Sequence, residues 1–336
     1  MRKSDAQKSA ILLFSGGLDS LLAAKILLEQ HIQVIGLYFI LPFSPPDVDP
    51  DDLGVSEWSK KIEIPMIYHR CGREYMQIIE NPSHGYGKNL NPCVDCRLYF
   101  LRKAKELMER EGASFVATGE VVGQRPMTQM KHMLNHLERE SGLRGLLLRP
   151  LSAKVLKPTQ TENDGIVNRD LLLGLSGRSR KVQMELADRY GLSEYPSPAG
   201  GCPLTDRNIA RRLKDVFTFI DSYSMIDIYL LTVGRHFRLT EKLKIIVSRN
   251  KVENDELEKY KEEADYFIVP AFRGPSIFLR GVVEEGDIDR IGTILLRYRS
   301  GSERGSDFHL YRRGEPAVTL AAQGTISESQ LKKLMI

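Results

Sequence analysis

Two short segments hold the residues best suited to chemistry. The first, Ser15-Gly16-Gly17-Leu18-Asp19-Ser20, puts two glycines, two hydroxyls and a carboxylate within one loop. Glycine lets backbone approach an anion closely, and the amides and dipole of a following helix favour negative charge. Asp19 does not suit a bare phosphate; it suits Mg²⁺ or the orienting of a polar group. The loop lacks the lysine of G-x-x-x-x-G-K-S/T and the spacing of G-x-G-x-x-G, so it is neither a Walker A site nor a dinucleotide fingerprint. The second segment is Asn91-Pro92-Cys93-Val94-Asp95-Cys96, joined far along the chain by Cys202 in Pro198-Ala199-Gly200-Gly201-Cys202-Pro203. The thiolate is the form that attacks or ligates, and a helix N-terminus lowers a thiol's pKa. Three readings stay open on the residues alone. A structural zinc site needs a fourth ligand. A redox dithiol needs only Cys93 and Cys96. A site of Cys93, Cys96 and Cys202 suits sulfur transfer or an iron–sulfur cluster, in which three thiolates leave one iron of [4Fe–4S] open.

Positioning these residues requires an alternating frame. The spacing predicts strands at Ala10–Phe14, Gln33–Ile40, Pro65–Tyr68 and Phe115–Thr118, with helices at Leu21–Glu29, through Glu57–Lys61, and at Val94–Glu111 with a glycine stop at Gly112. This order implies an α/β fold, a doubly wound parallel sheet covered by helices on both faces, with ligands at the carboxyl ends of the strands. The phosphate loop and Thr118-Gly119 fall at that edge. Composition changes near Asp221–Ser224. Beyond it, Ile226–Val233, Lys244–Val247, Tyr266–Val269 and Ser276–Leu279 read as strands around a charged helix near Asn254–Glu263. The expected domains are therefore 1–220 and 221–336, the second an α+β module.

The 336 residues are 42% hydrophobic and 27% charged, which excludes disorder, collagen-like repeats and a coiled-coil rod. The net charge of +4 permits a polyanionic partner without demanding one. Four cysteines are too few for a disulfide-stapled secreted fold. No signal peptide and no bilayer-spanning apolar run is visible, so a soluble cytoplasmic protein with reduced thiols is expected.

The hexapeptide at Ser15 resembles the PP-loop signature of the N-type ATP pyrophosphatases, over about residues 8 to 220. Asn91-Pro92-Cys93-x-x-Cys96, Ala117-Thr118-Gly119-Glu120, Gly123-Gln124-Arg125 and Gly200-Gly201-Cys202 together resemble the tRNA-thiolation branch of that superfamily, the tRNA 2-thiouridine synthases and 4-thiouridine synthetases. The resemblance implies an adenine nucleotide alpha hydrolase-like fold. It implies an ATP-dependent tRNA sulfurtransferase that splits ATP to AMP and pyrophosphate, adenylates a uridine carbonyl oxygen and replaces it with sulfur. Ser15, Gly16, Gly17, Asp19, Ser20, Thr118 and Gly119 would bind Mg·ATP, with Asp19, Cys96 and Cys202 catalytic. Cys93, as the third cysteine, favours a [4Fe–4S] cluster over a persulfide pair. The sulfur donor would be sulfide or a cysteine desulfurase. Asp265–Pro270 and Gly274-Pro275-Ser276 weakly resemble the RNA-binding domain of NFACT proteins. Known 4-thiouridine synthetases usually carry an N-terminal THUMP domain, for which a phosphate loop at residue 15 leaves no room. The C-terminal module is expected to replace it. Alternatives are a PP-loop enzyme that adenylates RNA or another substrate for a non-sulfur nucleophile, and a non-enzymatic RNA-binding protein that uses ATP as a switch.

Arginine supplies phosphate contacts and tyrosine supplies stacking. Arg178, Arg180, Lys181 and Arg189 are expected on one helix, and Arg207, Arg211, Arg212 and Lys214 on the next. Arg297, Arg299, Arg304, Arg312 and Arg313 crowd the C-terminal module with Tyr298 and Tyr311. Arg207, Arg211, Arg212, Arg297 and Arg299 are the candidate RNA-binding residues. Arg125 is a candidate phosphate ligand. Cys71 reads as a buried apolar thiol, and His132 and His136, one turn apart, as solvated or capping residues.

Overall fold

The computed structural model describes residues 8–192, 195, 202–301, 305–313 and 317–336. The chain divides into two compact units, Met1–Leu41 with Asp47–Cys202, and Pro42–Pro46 with Pro203–Ile336. The second unit thus starts before the composition change near Asp221.

The first unit runs β1 (Ser9–Leu13), α1 (Leu18–Leu28), β2 (Gln33–Ile40), α2 (Gly54–Lys61), β3 (Met66–Arg70), α3 (Arg73–Glu80), α4 (Cys93–Glu111), β4 (Phe115–Thr118), α5 (Lys131–Glu140), β5 (Leu147–Leu148), α6 (Gln160–Asn163) and α7 (Lys181–Arg189). Its sheet is parallel, in the order β3-β2-β1-β4-β5. β1 is wholly apolar apart from Ser9 because both its faces are covered. Ala10, Leu12 and Phe14 pack in one core with residues of α1, α2 and α7, while Ile11 and Leu13 pack in another with α4 and α5. α1 is apolar nearly all round, as a buried helix must be. α4 ends at Gly112, whose φ of 66° is the left-handed stop its sequence predicts. Strand order reverses between β1 and β4, and Leu13 sits level with Thr118. A doubly wound sheet offers its ligand crevice at this switch point.

The second unit runs α8 (Arg207–Phe219), α9 (Met225–Tyr229), β6 (Arg235–Thr240), β7 (Leu243–Val247), α10 (Lys251–Lys259), β8 (Tyr266–Pro270), β9 (Ile277–Gly281), α11 (Asp287–Arg297), β10 (Asp307–Arg312), β11 (Val318–Ala321) and α12 (Glu328–Leu334). Its six strands form an antiparallel sheet, β11-β10-β8-β9-β7-β6. α11 covers one face through Ile291, Ile294 and Leu295; Leu257 of α10 and Tyr229 of α9 cover the other. One expectation fails here. Ile226–Val233 is not a strand but α9 followed by a 3₁₀ turn, Leu230–Thr232. Ser224 and Asp227 form a reciprocal capping box that starts the helix, and this local hydrogen bonding overrides the β propensity of Ile and Tyr. Among the described residues, no helix is long and apolar enough to cross a membrane.

Candidate active site

The phosphate loop leaves β1 and enters α1 at the switch point. Gly16 has φ +72°, the left-handed region that disfavours other residues. No side chain caps α1 at Gly17; the Ser20 amide turns back to the Gly17 carbonyl at 2.9 Å, and no side chain caps the Leu18 and Asp19 amides before it. The Ser20 hydroxyl donates to the Gly17 carbonyl at 2.8 Å and lies 3.4 Å from Ser15 Oγ, which ties the loop's two ends together. Gly119 closes the crevice from β4. A Cβ there would lie 2.5 Å from the carbonyl carbon and oxygen of Asp19 and 2.7 Å from the Ser20 nitrogen, so only glycine allows the two loops to touch. Thr118 turns its hydroxyl toward Glu120 Oε2, at 3.1 Å.

Asp19 is held from one side. Gln124 Nε2 donates to Asp19 Oδ2 at 2.7 Å, and buried Gln183 of α7 donates to Gln124 Oε1 at 3.2 Å. Asp19 Oδ1 is buried without a hydrogen-bond partner among the described residues. A carboxylate oxygen oriented and left open in this way fits a hard divalent cation.

The cysteine half lies in the same unit. Cys93 and Cys96 occupy the first turn of α4, and the Cys96 amide donates to the Pro92 carbonyl at 2.9 Å. Cys96 is buried, with Tyr75 Oη of α3 at 3.2 Å from its sulfur. Burial pushes the Cys96 thiol up to about 12, with Cys202, Cys93 and Asp95 adding to the rise and the Tyr75 hydrogen bond opposing it. Cys202 therefore lies within electrostatic reach of Cys96, although the two are remote in sequence. Burial also raises Cys93, against a hydrogen bond from Asn91 and the charges of Arg97 and Arg125. The helix N-terminus was expected to favour thiolates; desolvation is the larger effect here. None of the four cysteines is in a disulfide, and Cys71 is buried after β3. Three thiols that feel one another's charge are a donor set of the right kind for a cluster. Among the described residues, however, no three His, Cys, Asp or Glu side chains are gathered in metal-holding positions. Pro198–Gly201, which lead into Cys202, and Arg304 lie outside the described residues.

A buried ion network joins the two halves. Arg97, the residue after Cys96, pairs with Glu120 Oε1 at 3.1 Å, and buried Arg149 pairs with Glu120 Oε2 at 3.1 Å. Burial alone would raise the Glu120 carboxyl; Arg97, Arg149 and Thr118 outweigh it and hold the group below its ordinary value. The residue after Gly119 is thus ion-paired to the residue after the second cysteine. In the sequence Glu120 stands in a motif without a role of its own, and Arg97, Arg149, Tyr75 and Gln183 stand in none. The Thr-Gly-Glu run was the available signal for Glu120. The others become visible only when the sheet brings α3, α4, α7 and β4 together.

The remaining candidates divide. Arg125 acts on Cys93 by its charge, and its backbone amide donates to Gln129 Oε1 at 2.9 Å. His136 is not simply solvated: its Nε2 lies 3.1 Å from His84 Nε2, and His84 Nδ1 lies 2.8 Å from Asp95 Oδ1. His132 is exposed. Arg178 and Arg180 precede α7 instead of lying on it. In the second unit, Arg207, Arg211, Arg297 and Arg299 are exposed. Arg212 is half-buried and donates to the Leu231 and Gly234 carbonyls at 2.6 and 3.2 Å, a brace within its own unit. Arg211 and Arg299 donate to the carbonyls of Met335 and Gly305.

Residues 5–153 match the family described as thiamine biosynthesis protein (ThiI). Residues 234–323 match the RNA-binding domain of NFACT proteins. A tRNA-specific 2-thiouridylase, MnmA of Petrotoga mobilis, is 29% identical over a stretch covering 34% of this chain and 35% of that protein. The chain thus matches about a third of that relative's length. Among solved structures, a 4-thiouridine synthetase–RNA complex with bound ATP is 22% identical, with 56% of this chain and 52% of that one covered, at a TM-score of 0.34. The U34-tRNA thiolase NcsA of Methanococcus maripaludis, solved with its [4Fe-4S] cluster, is 15% identical, with 67% and 70% covered, at a TM-score of 0.33. The first unit thus carries a match to the ThiI family and the second a match to the NFACT RNA-binding domain, and the chain also resembles a tRNA 2-thiouridylase over about a third of its length.

Proposed function

We propose that this protein is an ATP-dependent tRNA uridine thiolase. The observation that carries the reading is the join between the two halves of the first unit: Gly119 seats against the phosphate loop, and the next residue, Glu120, is ion-paired to Arg97, which follows Cys96. An activating site and a sulfur-handling site held by one buried carboxylate suit a two-step reaction.

The phosphates of ATP would lie on the α1 amides, Ser15 and Ser20, and Asp19 would hold Mg²⁺ through its open Oδ1. A uridine extruded from the tRNA presents a carbonyl oxygen, at C2 or C4, to the α-phosphate. The new P–O bond forms as the bond to pyrophosphate breaks. The uridine oxygen, a poor leaving group before, now departs as part of AMP. A sulfur nucleophile forms the C–S bond at that carbon as the C–O bond breaks, and AMP leaves with the former uridine oxygen. Cys93, Cys96 and Cys202 would hold a [4Fe–4S] cluster, which when bound supplies an open iron for sulfide. Around it, Tyr75 orients Cys96, and Arg97 and Arg125 moderate the charge of Cys93. The donor is sulfide or a cysteine desulfurase.

The test is made on protein purified without oxygen. Iron and acid-labile sulfide are measured for wild type and Cys202→Ala, and tRNA incubated with ATP and sulfide is digested and scored for thiouridine by mass spectrometry. We expect about four irons per chain, depleted in the variant, and thiouridine formed only with ATP. Thiouridine formed without iron, and only when a cysteine desulfurase with cysteine replaces sulfide, would move the sulfur to a persulfide on Cys96 or Cys202. Pyrophosphate release without thiouridine would overturn the reading in favour of a non-sulfur nucleophile.

A further inference from the structure

The second unit holds a cavity of about 640 Å³ that the candidate RNA-binding arginines do not line. It lies between the N-terminal end of α10, the loop from β8 to β9, and the chain after α11. Its walls carry Arg235, Arg249, Lys251 and Arg273 against Asp255 and Glu258. Arg249 is paired with Glu253. No acid pairs with Lys251 or Arg273 among the described residues, so two cations remain available to a ligand. Arg273 is exposed, on a loop pinned where Ser300 N and Oγ donate to its carbonyl at 2.9 and 3.2 Å. The loop is held on its other side by Asn254, whose side chain donates to the Gly274 carbonyl at 3.2 Å and accepts from the Ser276 amide at 2.9 Å.

The apolar part of the wall is planar and pre-ordered. Arg235 holds its guanidinium over the Tyr298 ring, 4.4 Å from the centroid, and is fixed by donation to the Ser248 carbonyl at 3.1 Å. Pro270 lines the same cavity. A base stacks on an arginine plane or a tyrosine ring without regard to its identity, and the volume falls in the range of small-ligand sites.

We infer that this cavity is a nucleotide-holding site for single-stranded RNA, with one base against the Arg235–Tyr298 stack and the flanking phosphates on Arg273 and Lys251. It rests on the RNA reading of this module and gives that module a site. Every lining residue falls inside the stretch that matches the NFACT RNA-binding domain. A stacking surface beside Lys251 and Arg273, which no acid pairs among the described residues, suits a strand, which brings a base and phosphates together, better than it suits an acidic peptide.

The test uses the full chain and a fluorescein-labelled oligouridine, read by anisotropy across a salt series. Arg273→Ala and Lys251→Ala should each weaken binding by about five- to tenfold and each lower the salt slope by about one, with unchanged thermal unfolding. Oligouridine carrying 4-thiouridine should photo-crosslink to peptides containing Tyr298 or Pro270–Ser276. Uridine monophosphate in excess should compete poorly. If both variants bind as wild type and crosslinks map elsewhere, the cavity is not the site, although the module still binds RNA. If wild type binds no RNA, the inference and the RNA reading fall together. If the mononucleotide competes as well as the oligomer, the site belongs to a free nucleotide and the strand assignment is overturned.

Discussion

The two halves of the candidate active site are built from different materials. The phosphate half is backbone: a left-handed Gly16, an uncapped helix start, and Gly119 packed against the Asp19–Ser20 peptide. The cysteine half is side chain: thiols whose properties come from burial, from Tyr75 and from one another. A backbone site is specified where it stands, because few residues adopt its conformation or leave its space. A side-chain site borrows its chemistry from elements far away in sequence. Glu120 and Arg97 bridge the two, and the contrast can be tested at the bridge, in each half, and in the coupling between them.

The largest effect is expected at the bridge. Glu120→Ala takes from buried Arg149 its closer carboxylate, leaving Glu138 at 3.4 Å, and should cost about 3 kcal/mol of unfolding free energy. A loss below about 1 kcal/mol, of the size of a surface pair, would mean that the halves are not held through this residue. The pH dependence follows from the lowered Glu120 pKa. The stability it contributes is present above the ordinary glutamate pKa and is lost as pH falls through the folded-state value. Wild type should therefore destabilise on acidification below the ordinary glutamate range, and the variant should lack that part of the slope in chemical denaturation.

In the phosphate half, Gly119→Ala drives a methyl group into the loop peptide. ATP-dependent pyrophosphate release should fall about a hundredfold, the size of effect expected when reacting groups are displaced by an ångström, with the fold kept. Near-normal release would show that the close approach is incidental. In the cysteine half the effect is smaller and graded. With its thiol pushed up to about 12, Cys96 in metal-free protein should alkylate slowly at neutral pH. Its peptide-resolved rate should still be climbing at about pH 10, beyond the range of an ordinary thiol. A plateau near about pH 8.5 would mean that burial does not govern this thiol.

The same contrast explains what could be read from the sequence. The phosphate loop, β2 and β4 were legible because each is a local pattern: a glycine-rich turn after an apolar run, or a β-branched and aromatic stretch of the right length. α4 was legible from its periodicity and from Gly112. β6, β10 and β11 were not, because Arg-His-Phe-Arg-Leu-Thr and Asp-Phe-His-Leu-Tyr-Arg mix charge into strands, and β11 is mostly exposed. The misread Ile226–Val233 carried its own correction in the Ser224–Asp227 capping box. Within the site, the thiols were found by type, but their raised pKa values required knowing what buries them. Arg212, a candidate RNA contact by type, donates to two backbone carbonyls that only the fold brings to it.

The most direct test of the central claim, that one unit joins adenylation to sulfur transfer, separates the two products. Wild type and Cys202→Ala are given tRNA, ATP and sulfide under anaerobic conditions, and pyrophosphate and thiouridine are measured in the same reaction. The account predicts that the variant still releases pyrophosphate in a tRNA-dependent way while thiouridine disappears. Full thiouridine formation by Cys202→Ala would contradict it.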